Sequence, residues 1–328
     1  MSINLLKIEN DFLLVEICPT QGADIRKVAR IGKIENLLLE TNWEGSEANY
    51  CDCEGMDEDH FLSHYAGGWQ LMIPNAGFPS VNKYGAVGYH GEAWSNSWSV
   101  IKHESDQLIM ETTLQSAPIT IQRKVALNLQ TLQVTDNVTN NSDVEIELVW
   151  GNHPAFSNTL IDASTEVRIC ASEIKVEIDS YSDTVPNSRG ILDQQLDFFV
   201  IRDLMKVPQS FLGFATEFQN GLASIINRNN LLQVNLSWDK TIFPHAWVWI
   251  ENRNISKKPW ENNIATLAIE PCTTKNNMGI EDSRKEPNNV LVLKSKNSQA
   301  TSIYLEVLSL LPFPEDFVLP KMKNVYSL

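Results

Sequence analysis

Apolar and polar residues alternate in short runs along most of this chain. Leu108 to Leu114, Ile119 to Leu127 and Leu132 to Val138 repeat with a period of two, the spacing that puts every second side chain on one face of a strand. Asp136-Asn137 and Thr139 to Asp143 supply a polar turn before the next run, Val144 to Trp150, so these four segments read as a meander. Further strands are expected at Thr165 to Ala171, Leu222 to Asn227, Leu231 to Trp238, Ala246 to Glu251, Thr266 to Ile269, Val290 to Lys294 and Thr301 to Leu308. The chain shows no amphipathic helix longer than three turns, and Gly, Pro, Asn and Asp interrupt it at strand-like intervals. Sheets that carry one apolar face and have no helices to cover it must cover each other, so an all-β fold, a large antiparallel β-sandwich, is expected. No repeat or linker divides the 328 residues, which read as one domain. Asp179 to Asn187 reads as a loop, and Lys275 to Asn289, rich in Asn and charge, as a mobile surface segment.

Composition narrows the partners. A formal net charge of −15 opposes binding to nucleic acid and to anionic membranes, and leaves a neutral small molecule as the better-suited ligand. The first residues lack a basic stretch leading into an apolar run, and no segment reaches the length of a membrane span, so a cytoplasmic location is expected. Five scattered cysteines, Cys18, Cys51, Cys53, Cys170 and Cys272, fit free thiols better than a disulfide framework.

Three segments hold the candidate chemistry. In Gly151-Asn152-His153-Pro154-Ala155-Phe156 a histidine follows a strand-like run and precedes a proline, which cannot donate to a ladder. The chain is therefore expected to leave the sheet at His153, presenting at the rim a group that exchanges protons near neutral pH. His90 lies in Gly88-Tyr89-His90-Gly91, a turn-like stretch. Glu270 closes the apolar run Leu267-Ala268-Ile269 and precedes Pro271, a costly position for a charge unless it is paired or used.

Taken in order, Gly67-Gly68-Trp69, Pro74-Asn75-Ala76-Gly77, His90-Gly91, Asn152-His153-Pro154-Ala155-Phe156, Phe243-Pro244 with Trp247-Val248-Trp249, and Ile269-Glu270-Pro271 resemble the aldose 1-epimerase (galactose mutarotase) family. The resemblance spans most of the chain. It implies a galactose mutarotase-like sandwich over residues 1–328 and an enzyme that opens and recloses a hexose ring, exchanging α and β anomers. On that resemblance Glu270 is the base for the C1 hydroxyl, His153 the acid for the ring oxygen, and His90 a hydrogen-bond donor beside it. Acid and base are expected to face each other across the sugar. Trp247 and Trp69 are expected as apolar platforms for the sugar, with Asn75 as a hydroxyl contact. Of the same-face pair Trp247 and Trp249, only one end is expected to reach the site. Such a reaction requires no cofactor and no metal.

Other readings stay open at this stage. Family members often follow the asparagine with an arginine that touches substrate, where this chain has Ala76, and Asp239 is at best a substitute for their sugar-gripping aspartate. Relatives acting on sugar phosphates would want an arginine cluster, for which Arg26, Arg30 and Arg123 are available. A non-catalytic carbohydrate-binding or regulatory domain would need neither acid nor base. A glycoside-cleaving enzyme would need a second carboxylate opposite Glu270, with Glu92 the candidate. Cys51-Asp52-Cys53 with His60 and His64 has a spacing that zinc tolerates, but the acidic run between them reads as a solvated loop, so no metal site is assigned. The preferred sugar and the oligomeric state are not encoded in these patterns.

Overall fold

A computed structural model describes residues 4–41, 43, 57–177, 191–193, 198–202 and 204–310. Cys51, Cys53 and the expected loop from Asp179 to Asn187 lie outside the described residues. Seventeen strands share one hydrogen-bonded network, and all the recorded strand pairings within it are antiparallel. The fold is the all-β sandwich that the alternation predicts.

The expected meander forms one face of the sandwich. Strands Gln107–Thr113, Ile119–Asn128 and Thr131–Asn140 pair in sequence, with Val125 opposite Val134 and Leu127 opposite Leu132, so their buried positions fall on one side. Ser298–Ser309 and Leu232–Trp238 continue this sheet. The 19-residue strand Gln209–Asn227 then joins the two halves: its second part pairs with Leu232–Trp238, while its first part pairs with His245–Asn252. A long strand that changes partners along its length lets one network fold back over itself.

The other half runs from His245–Asn252 through Ala265–Cys272 and Gly151–Phe156 to Trp69–Met72, and it carries the candidate residues. Its inner face contributes Val248, Ile250, Leu267, Ile269, Phe156, Trp69 and Leu71 to the main core, beside Ile121, Val125, Val134 and Leu305 from the meander. The outer face therefore holds Trp247, Trp249, Glu270, Ala268, His153, Ala155 and Gln70. That outer face is also covered. Helix Glu58–His64 and the turn around Trp260 pack Phe61, Leu62, Tyr65 and Trp260 with Ala155 and Ala268.

Three expectations about the backbone are corrected. The strand Gly151–Phe156 runs through Pro154, and Ala265–Cys272 runs through Pro271, so neither proline ends its strand. The bridges Gly151 to Cys272 and Ala155 to Ala268 belong to one register, which sets Pro154 against Ile269 and Pro271 against Asn152. Both missing donors thus fall in a single shared gap of the ladder, and the strands continue on either side of it. The segment Lys275 to Asn289 is surface only in part: Arg284 to Asn288 are exposed, but it contains the short helix Ile280–Ser283, and Ile280, Ser283 and Asn289 are fully buried. The expected strand Val144 to Trp150 shortens to Ile146–Leu148, paired with Leu291–Leu293.

Candidate active site

The register that aligns the two prolines also sets His153 directly opposite Glu270. On its far side Glu270 pairs with Trp247, which pairs in turn with Phe214, while Gln70 stands opposite His153 on the remaining strand. Five strands therefore present a single row on the outer face. Within it, His153 Nε2 lies 3.6 Å from Glu270 Oε1. This corrects the expectation of two groups facing each other across a sugar, because no ring fits between them. Mutarotation as a reaction would tolerate this arrangement: the C1 hydroxyl and the ring oxygen of an aldose are both bonded to C1, so two neighbouring groups on one surface could reach both.

His90 joins the pair from a turn. Its backbone adopts φ +58°, and a Cβ on the following Gly91 would lie 2.4 Å from the Ile73 carbonyl oxygen, so only glycine permits the chain to turn there. The Gly77 N–H donates to His90 Nδ1 at 3.1 Å. With Nδ1 accepting, the neutral ring keeps its proton on Nε2. Burial, reinforced by the neighbouring His153, holds the His90 pKa well below the usual histidine range, so the ring is a fixed neutral donor. The His90 and His153 rings lie 5.6 Å apart, centre to centre.

Burial acts in opposite senses on the central pair. It raises the Glu270 carboxyl well above its ordinary value and lowers the His153 imidazole to about 4. Glu270 is 1% exposed and His153 6%. Burial thus favours the neutral form of each, a protonated carboxyl beside an unprotonated imidazole, and groups this close titrate as a pair. Moving that proton from carboxyl to imidazole turns the neutral pair into an ion pair without changing its charge.

These groups line a hollow of about 650 Å³, counting the open space at its mouth. Trp247 and Trp249 both line it, so the same-face pair contributes both ends instead of one. The Trp247 indole is held by its N–H donating to the Thr274 carbonyl at 2.7 Å. Tyr65, Phe61, Tyr89 and Trp260 complete the aromatic wall, and Glu58 adds a second carboxylate, raised in pKa chiefly by burial.

Several expected contacts lie elsewhere. Trp69 does not reach the hollow: strand alternation turns it inward, and its N–H donates to Asn152 Oδ1 within the core. Asn75 is fully buried and acts as a bracket, donating to the carbonyls of Phe78 and Gly88 and accepting from the Ile280 N–H. Glu92 accepts from the Gln115 and Ser116 N–H groups and from Asn96, and Asp239 closes its own turn through Thr241. Nor do the three arginines form a phosphate site. Arg123 is fully buried in a double hydrogen bond to Asp136 (2.7 and 2.8 Å) and also reaches Asn152, Arg26 bonds Gln21, and Arg30 reaches Ser309. Arg123 instead ties the meander to the residue next to His153.

Sequence reasoning missed the cover. Tyr65 and Trp260 lie outside every motif singled out above, and Glu58 lies in the acidic run before His60, whose end, Asp57-Glu58-Asp59, starts a helix and not a loop. Asp57 caps the helix by accepting from the His60 N–H, and two acids follow in the first turn, a pattern that marks a helix start.

Comparison with known proteins agrees on the fold. A candidate aldose 1-epimerase from Escherichia coli K12 superposes with a TM-score of 0.69 at 15% identity, over 94% of this chain and 100% of that one. A galactose mutarotase-like protein from Lactobacillus casei gives 0.64 at 13% identity, over 93% and 100% of the two chains. An aldose epimerase homologue from C. elegans gives 0.65 at 15% identity, over 94% and 100%. At these identities the likeness establishes the sandwich and leaves the activity open. No curated protein matches the sequence. No helix among the described residues is long and apolar enough to cross a membrane. Residues 1–307 match a single family over most of the chain, and the protein belongs to that family, described as a domain of unknown function (DUF4432).

Proposed function

We propose that this protein is an aldose 1-epimerase acting on an unphosphorylated sugar. The observation that carries the reading is the His153–Glu270 pair, two buried groups 3.6 Å apart that hold one proton between them at the wall of a hollow. A group with a raised pKa is a strong base once ionised, and one with a lowered pKa is a strong acid once protonated. In the ion-pair form Glu270 takes the proton from the C1 hydroxyl as the bond from C1 to the ring oxygen breaks, and the His153 imidazolium protonates that oxygen. The open aldehyde turns about C1–C2, and the reverse transfers close it on the other face. The pair ends with the proton count it began with. His90, a neutral donor, supports the negative charge that develops on oxygen.

Two features favour a neutral sugar over its phosphate. The hollow is lined by Glu58 and Glu270, and none of its described lining residues is Lys or Arg. A phosphate would find no cationic side chain among them. A purely binding module is a poorer account, since it has no use for a buried carboxyl set against an imidazole. The glycosidase reading loses its candidate Glu92, which is tied to backbone N–H groups and does not line the hollow.

Polarimetry tests the reading. The purified protein should accelerate the decay of optical rotation of freshly dissolved α-glucose or α-galactose, and Glu270→Gln should abolish the acceleration while keeping the fold. An unchanged decay across a panel of aldoses and sugar phosphates would remove the assignment.

A further inference from the structure

Among the described residues, four buried polar atoms without a protein hydrogen-bond partner belong to side chains that line the hollow: Tyr65 Oη, His153 Nδ1, Trp260 Nε1 and Glu270 Oε2. Two of these belong to the acid–base pair. The other two come from outside the sheet, Tyr65 just after helix Glu58–His64 and Trp260 from a turn.

We infer that the Tyr65 hydroxyl and the Trp260 indole N–H are ligand-gripping groups that fix a polyhydroxylated substrate against the acid–base row. Tyr65 is 3% and Trp260 4% exposed, so solvent does little to satisfy either one. A buried donor left without a partner is destabilising, so its retention at a cavity wall points to a partner that arrives with the ligand. Nearby indoles behave differently. Trp247 donates to the Thr274 carbonyl, Trp94 to Tyr89 and Trp69 to Asn152. Trp150 also lacks a partner, but it is sealed in the core and does not line the hollow.

Placement divides the two roles. The Tyr65 ring meets the His153 imidazole edge-on at 5.7 Å, so its hydroxyl serves the reacting end. The Trp260 ring packs on Trp249 at 5.8 Å, along the aromatic wall. Trp260 can only donate and Glu270 Oε2, when ionised, only accepts, whereas a hydroxyl supplies both functions. Adjacent hydroxyls on one ring therefore match this set of open positions. The inference rests on the proposed mutarotase reading and adds the groups that select and hold the sugar.

The test compares wild type, Tyr65→Phe and Trp260→Phe as full-length proteins. Thermal melting is measured without sugar, KM and kcat by polarimetry, and Kd by calorimetry with the best aldose and its monodeoxy derivatives. If the groups await a ligand, Tyr65→Phe should melt no lower than wild type, because it removes an unpaired buried hydroxyl. Its KM should rise about tenfold, the loss of one hydrogen bond with a small further gain from burial. One deoxy sugar should bind wild type and Tyr65→Phe equally, and a different one should do so for Trp260→Phe. Lower melting temperatures with unchanged KM in both variants would make the residues structural and overturn the inference alone. Wild type that neither binds nor turns over any aldose would overturn the mutarotase reading, and this inference with it.

Discussion

On the floor of the hollow, Trp247, Glu270 and His153 stand on three neighbouring strands whose register fixes their spacing; above them, Phe61, Tyr65 and Trp260 hang from a seven-residue helix and a turn. The floor is braced from behind. Asn152, one residue before His153, turns into the core and accepts from Trp69 and Arg123, and Arg123 is locked to Asp136 on the opposite sheet. The cover has no such ladder and is held by side-chain packing and by hydrogen bonds from Thr41 Oγ1 and Gln21 Nε2 to the Tyr65 and His64 carbonyls. Proton transfer demands groups held to within a fraction of an ångström, which a sheet supplies, while recognition of a particular sugar tolerates and exploits a more variable wall. On the proposed reading the floor carries the chemistry and the cover the selection.

The sharpest break is on the floor. Glu270→Gln should lower mutarotation by ~10²–10⁴-fold with little loss of stability, since it removes a buried ionisable group. Adding His153→Ala should cost little more, because the two act as one unit. Polarimetry on the single and double variants checks this, and a multiplicative loss would mean that they act independently. The pH profile belongs to the same pair. kcat/KM should fall as pH drops through about 4, where His153 takes a second proton while Glu270 keeps its own. It should fall again as pH rises through the elevated Glu270 value, where the pair loses its last proton. In stability the sign is fixed by the raised pKa: the folded state favours protonated Glu270, so this contribution is present at low pH and is lost as pH rises through the folded value. Melting curves of Glu270→Gln should lack that alkaline component.

Next in size is the brace behind the floor. Arg123→Met leaves Asp136 buried without its partner and should cost ~3–5 kcal/mol in urea unfolding, and replacing both residues by apolar ones should recover much of it. A loss below ~1 kcal/mol would show that Asn152 and His153 are positioned by the ladder alone. Smaller still is Asn75→Ala, which strands the buried Ile280 N–H and should cost ~1–3 kcal/mol. Because Asn75 also holds the Gly88 carbonyl beside the His90 turn, KM should rise modestly while the acid limb near pH 4 stays in place.

Much of the floor was legible from residue order. Period-two runs located the meander and the strands from Ala246 to Glu251 and from Thr266 to Ile269, and the motifs around His90, His153 and Glu270 meet in one hollow. Their detailed geometry was not legible. Pro154 and Pro271 read singly as strand ends, and only the pairing of their strands shows that the two gaps coincide and bring His153 against Glu270. Trp69 belongs to a matching motif, yet the parity of a four-residue strand turns it into the core and leaves Gln70 on the outer face. Tyr65 and Trp260 gave no signal at all, because a side chain's lack of a partner is a property of its surroundings.

The alternation and the absence of long amphipathic segments determined a sandwich, since apolar faces of period two are buried only against other sheets. The acidic charge set the expectation of a neutral ligand over a polyanion, and the order of the short motifs set which residues to compare. Tertiary structure alone decided that His153 and Glu270 are neighbours on one surface, that Arg123 is a brace and no phosphate ligand, and that an aromatic cover closes over the row. Those outcomes depend on strand register and burial, which bring residues far apart in the chain to within a few ångströms and shift their proton affinities by removing water.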